Sequence, residues 1–167
     1  MTELDDIFIE DIEELESLLQ RTYWIEDEFE QMAYWEGFST LHEQYRDVIF
    51  RLPHDSEKHK IMLNKIINSI EGIELEDIKK GVRKREEGSS RRQKMDEEVL
   101  TEMIKNDRLA LDLYSKIHKH TSREFIEEIW TGENSNEFFD IFKRLMAEEQ
   151  KHIDILRPHV GKLERIR

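Results

Sequence analysis

Four stretches of this chain place inward-type residues at alternating steps of three and four, the spacing that keeps one face of a helix turned toward a common axis. The first is Tyr34, Phe38, Leu41, Tyr45, Val48 and Leu52. The second is Ser56, His59, Leu63, Ile66, Ile70 and Ile73, and the third is Leu100, Met103, Asp107, Ala110, Tyr114 and Ile117. The fourth reads Phe138, Phe142, Leu145, Glu149, His152 and Leu156. Two prolines and six glycines in 167 residues are too few turn-formers for a many-stranded sheet protein. The high content of charged residues leans toward disorder, but 15 aromatic residues and the sustained stripes oppose it. An all-α chain with one core follows.

Element boundaries come from the punctuation. Residues 1–21 read as a short amphipathic helix carrying Ile12, Leu15, Leu18 and Leu19. A long helix is expected from Tyr23 to Leu52, stopped by Pro53, because the residue before a proline is pushed out of the α region. A second runs from His54 or Asp55 to Ile78. Residues 79–94, KKGVRKREEGSSRRQK, hold eight basic and two acidic residues and read as a long connection. A third helix covers Met95 to His120. A short one begins at Thr121, with Glu124 completing a capping box, and ends at Gly132. The last begins at Asn134 or Ser135 and stops at Pro158. The expected organisation is an acidic N-terminal helix over 1–22, a four-helix bundle with one long crossover over 23–157, and a tail over 158–167.

The formal net charge of -13 disfavours nucleic acid as partner, since phosphate neutralisation needs a cationic surface. No apolar run is long enough for a membrane span, and the acidic N-terminus is unlike a secretory signal. Lack of cysteine removes disulfides, zinc thiolate sites and cysteine nucleophiles, and fits a reducing, cytoplasmic setting. From Met1 to Glu36 there are 13 acidic residues and one basic residue, Arg21. That run reads as a solvated face or as a surface for a protein partner. Trp24, Tyr34 and Trp35 read as core or as contact in a homodimer. His42, His54, His118, His120 and His159 fall on helix ends or polar faces, and the methionines at helical spacing read as core filler.

Asp107, Glu149, His59 and His152 interrupt apolar stripes. A buried, unpartnered carboxylate is costly, so these groups must compensate one another or share a cation. Glu149 and His152, three apart, point to the same side of one turn. Two carboxylates and two imidazoles suit iron, manganese or zinc. The alternative reading of the same four residues is a hydrogen-bonded polar core with no cofactor. SEKHKIML, residues 56–63, also matches EQKHIDIL, residues 149–156, with Lys, His and Leu identical, and the preceding helices carry Tyr45 and Tyr114. Two related helical hairpins are therefore expected.

Glu149-x-x-His152 on one helix, Asp107 seven residues before Tyr114 on its neighbour, and a duplicated hairpin resemble the ferritin-like, rubrerythrin-type di-metal carboxylate proteins. That pattern uses a Glu from each of two helices and Glu-x-x-His from each of the other two. The resemblance implies a ferritin-like four-helix bundle with metal ligands His59, Asp107, Glu149 and His152, holding iron or manganese and acting on dioxygen or peroxide. In the first half Phe38 stands in the place of the family's Glu, and Ser56 replaces the Glu of Glu-x-x-His. The resemblance thus implies a reduced ligand set, and the alternative is a bundle that has lost its metal and serves as an interaction or assembly module.

Overall fold

The computed structural model describes residues 8–32, 43–87 and 96–164. These form helices α1 (Ile12–Met32), α2 (Glu43–Asn68), α3 (Leu75–Glu87), α4 (Asp96–His120), α5 (Arg123–Ile129) and α6 (Asn136–Glu164). The fold is all-helical: the described residues contain no strand, only isolated bridges between Ile9 and Thr121 and between Ile70 and Trp130. No helix among them is long and apolar enough to cross a membrane.

Each helix forms where its apolar spacing and its first turn agree. The Glu13 N–H donates to Asp11 Oδ1 at the start of α1, and Glu13 and Glu14 favour the positive end of the helix dipole. The Asn136 N–H donates to Asn134 Oδ1 at the start of α6. Of the four long helices, α1 packs on α2, α2 on α6, α6 on α4 and α4 on α1, so each has two neighbours in a closed ring. The second, third and fourth stripes point inward wherever their side chains are described, from Ser56 to Ile73, from Met103 to Ile117 and from Phe138 to Leu156. Phe138, Phe142 and Tyr114 pack ring on ring, with centroids 4.9 Å and 6.0 Å apart along that series. Met103 is buried in this core, and Met62 and Met146 pack against it.

Several boundaries differ from the sequence expectation. Of the extra helix expected over residues 1–21, the part from Ile12 on is the front of α1, which runs unbroken across residue 22 to Met32, while residues 1–7 lie outside the described residues. Its buried Leu15, Leu18, Leu19 and Ile25 make α1 one of the four packed helices. Tyr34, Trp35, Glu36, Phe38, Leu41 and His42 lie outside the described residues. Tyr45, Val48 and Leu52 fall on α2, the helix that also carries His59, so Tyr45 is not on the helix before its copy of the repeat. Pro53 lies inside α2 and Pro158 inside α6, and neither ends its helix; a proline removes one N–H donor, and packing along the rest of a long helix can outweigh that loss.

The basic connection is also partly helix. Its residues 79–87 belong to α3, which forms because Leu75, Ile78 and Val82 make a narrow apolar edge that packs on α1, with Glu76, Asp77, Lys80 and Arg83 outward. Gly81 lies against the Gln20 side chain, closer than a Cβ would allow. The cap of α5 is Ser122 rather than Thr121: its hydroxyl accepts from the Phe125 N–H, while the Ile9 N–H donates to the His120 carbonyl and the Ser122 N–H to the Ile9 carbonyl. Gly72 takes a φ of 96°, open to glycine, in the turn after α2, where a Cβ would strike Ile12.

Candidate metal centre

On α6, Glu149 and His152 continue the apolar line of Phe142 and Leu145 and precede Leu156. On α4, Asp107 sits between Met103 and Ala110, and on α2 His59 lies one turn before Leu63. The fold brings all four residues singled out in the sequence into one cluster. Every one is buried, from 0 to 4% exposed. A fifth member, Glu26 of α1, was missed. It is 1% exposed and continues the buried series Leu15, Leu19, Thr22, whose steps of four, three and four are the signal that could have found it.

The cluster is two overlapping triads. Glu26, His59 and Glu149 form one and Asp107, Glu149 and His152 the other, with one ligand-type atom from each member within 4.8 Å of the others. His59 Nδ1 lies 3.1 Å from Glu26 Oε1 and 3.0 Å from Glu149 Oε1. His152 Nδ1 lies 3.5 Å from Asp107 Oδ1 and 3.8 Å from Glu149 Oε2. Glu149 thus offers one oxygen to each side. The two imidazoles stack with centroids 5.6 Å apart.

Outside the triads the histidines are held crosswise. His59 Nε2 is 2.7 Å from Glu148 Oε2, and His152 Nε2 is 2.9 Å from Asp55 Oδ2. Asp55 stands four residues before His59, and Glu148 four before His152, so each helix supplies one inner histidine and the outer carboxylate of the other. A carboxylate on the far nitrogen fixes the ring and turns Nδ1 inward. The Tyr114 hydroxyl donates to Glu26 Oε1 at 2.7 Å.

Burial and these partners set the charges. Burial pushes the Asp107 carboxyl up to about 8, only partly opposed by its neighbours Glu149 and His59. Burial, then the charge of Glu26, raises Glu149 well above the usual range. Burial would raise Glu26 too, but the His59 imidazole outweighs it and holds this carboxyl low. Burial alone would lower His59; Glu26 and Glu149 more than reverse that, to about 11. Burial, reinforced by Glu26, raises the Tyr114 phenol, so it stays a donor.

Both oxygens of Asp107 and Oε2 of Glu149 are buried without a hydrogen-bond partner. Buried polar atoms are ordinarily satisfied, and three orphaned carboxylate oxygens beside two inward imidazole nitrogens fit a cation. These five side chains could hold metal, and among the described residues no other three His, Asp or Glu side chains come together this way. Ser56, three residues before His59 on α2, is buried as well. A surface pocket reaches the outer face of the cluster, lined by Asp55, Glu148 and His152 together with Lys58, Lys151 and Ile155. Of the other histidines, His54 is exposed, while His118 and His120 are half-buried, with the His118 ring edge-on to Phe139. Comparison of the chain with protein-family models, with curated proteins and with solved structures finds no match.

Proposed function

We propose that this chain is a ferritin-like, rubrerythrin-type four-helix bundle that binds two ions of iron or manganese in its interior and acts on dioxygen or peroxide. The observation that carries the proposal is the pair of buried triads sharing Glu149, each histidine being fixed by a carboxylate from the other hairpin. Glu26, His59 and Glu149 bind on one side, and Asp107, His152 and Glu149 on the other. Mixed oxygen and nitrogen donors suit iron and manganese. Such ions, when bound, supply the electrons that reduce the oxidant.

The chain's own residues do the rest. Asp55 and Glu148 orient the imidazoles, and the Tyr114 hydroxyl fixes the Glu26 carboxylate. Asp107, raised to about 8, carries a proton near neutral pH, Glu149 is raised in the same direction, and both give up their protons when a cation takes their place. Met103, Phe142 and Leu145 close the surroundings with apolar side chains and keep bulk water out.

Ser56 favours a second reading. With one position of the repeat lacking a carboxylate, and with His59 already bonded to Glu26, the bundle serves as a protein-interaction or assembly module that has lost its metal. Elemental analysis of protein purified without a metal-affinity tag, followed by reconstitution with ferrous iron or manganese, separates the two. Uptake of two ions per chain, lost on removing the Glu149 carboxylate, supports the proposal. A chain that takes up neither ion and melts identically with and without chelator overturns it.

A further inference from the structure

DSEKHKIML, residues 55–63, and EEQKHIDIL, residues 148–156, superpose in role as well as in letters. Asp55 corresponds to Glu148, each holding the other copy's histidine from outside. His59 corresponds to His152, each facing inward through Nδ1. Ser56 corresponds to Glu149, and both are buried, at 1% and 2% exposure. Glu149 is the one side chain common to both triads. By the symmetry of the repeat, Ser56 stands where a second shared carboxylate would arise, and a hydroxymethyl group has neither the reach nor the charge.

Charge balance gives that difference a consequence. Two divalent ions bring four positive charges, whereas Glu26, Asp107 and Glu149 bring three negative ones and neutral imidazoles none. Asp55 and Glu148 sit at the rim, about one-third exposed, in the pocket that Lys58 and Lys151 also line. One positive charge is left without a counterion among side chains that are almost wholly excluded from water, an unfavourable state. The fragment by which a glutamate side chain exceeds that of serine is about the size of acetate.

We infer that the place left by Ser56 is a binding site for a small carboxylate anion, which completes the dinuclear centre as Glu149 does in the other copy of the repeat. The inference rests on the dinuclear reading above and names the ligand class of the same centre. The pocket beside His152 opens on the outer face of the cluster, and there Lys58 and Lys151 offset the charge of Asp55 and Glu148, so the rim does not repel an anion.

The test uses the full chain loaded with manganese(II) in carboxylate-free buffer and titrated with acetate, read by calorimetry and by electron paramagnetic resonance of the metal pair. One acetate should bind per loaded centre, altering the manganese spectrum, and none to metal-free protein. Ser56→Glu should keep both ions and bind acetate at least about tenfold more weakly. Ser56→Ala, which restores no carboxylate, should bind acetate as the natural chain does. Uptake of two ions with no acetate binding, or acetate binding undiminished in a folded Ser56→Glu, overturns this inference and leaves the dinuclear reading standing. No uptake of metal overturns both. Should Ser56→Glu not fold, the other two proteins decide: acetate binding to both upholds the inference, and to neither overturns it.

Discussion

Glu26 on α1 and Asp107 on α4 hold matching posts, since each completes a triad with Glu149 and one histidine, and both are 1% exposed. Their surroundings differ. Glu26 accepts from the Tyr114 hydroxyl and pairs with His59, whereas neither oxygen of Asp107 has a hydrogen-bond partner. Burial is therefore the same and the shift opposite: Glu26 is held ionised, and Asp107 is pushed up to about 8. The α1–α2 half is satisfied by protein alone, and the α4–α6 half is left wanting a cation or a proton. Burial of a carboxylate says little about its charge until the donors around it are counted.

The harshest way to break the comparison is to remove what the halves share. Glu149→Gln keeps the shape and takes away the only anion common to both triads, so metal uptake should fall to a small fraction of the natural level at both positions. Elemental analysis after reconstitution reads this. Retention of one full equivalent would mean that the triads are independent.

The next test separates the halves. Glu26→Gln and Asp107→Asn should each lose one of the two ions, yet the metal-free proteins should diverge. Glu26→Gln takes from the buried His59 cation a carboxylate 3.1 Å away that is held ionised, and should cost about 3 kcal/mol in urea unfolding. Asp107→Asn removes a carboxyl whose oxygens make no hydrogen bond and should be within about 1 kcal/mol of the natural chain. Equal costs for the two would erase the asymmetry.

That asymmetry tracks what could be read from the sequence. Glu149 and His152 were legible because α6 is one uninterrupted stripe in which they are the only ionisable positions between Phe138 and Leu156. Asp107 was legible for the same reason on α4. Glu26 was not, because residues 1–21 read as a helix of their own and Pro53 reads as a helix end, which puts the first inward stripe on Tyr34 to Leu52. Helix propensity and proline rules act locally, whereas α2 is held through Pro53 by its packing on α1 and α6, which no local rule contains. The repeat of Ser56–Leu63 on Glu149–Leu156 was visible as letters. The crosswise holding of the histidines by Asp55 and Glu148 was not, since it joins residues 97 and 89 positions apart. The helix α3 hid behind its charge, because three apolar positions are enough for a helix that lies on an outer face.

The outer carboxylates sharpen the comparison on a smaller scale. Asp55→Asn should weaken the ion held by His152 and Asp107, and Glu148→Gln the ion held by His59 and Glu26, each by roughly 10- to 100-fold. The pairing is crossed, so the helix that is mutated is not the helix whose histidine suffers. Two-site zinc titrations with a competing chelator would show it, and weakening of the same-helix site would contradict the geometry.

The smallest expected effect is a slope. A group whose pKa is raised on folding binds more protons folded than unfolded, so its contribution to stability is full below the unfolded value and is lost as pH rises toward the folded one. Asp107, raised to about 8 from the ordinary carboxylate range, and His59, raised to about 11 from that of imidazole, both act in this direction between pH 7 and 8. Glu26, which is held low, has its contribution already complete above the carboxylate range and adds no slope there. Metal-free protein should therefore lose stability through this window, by on the order of 1 kcal/mol per pH unit for each proton involved. Metal-loaded protein should show the opposite trend, since cations displace those protons more readily as pH rises. Urea midpoints at pH 6, 7 and 8, with chelator and with manganese, test both trends. In Asp107→Asn the metal-free slope should shrink by the share that Asp107 supplies, and an unchanged slope would remove Asp107 from the account.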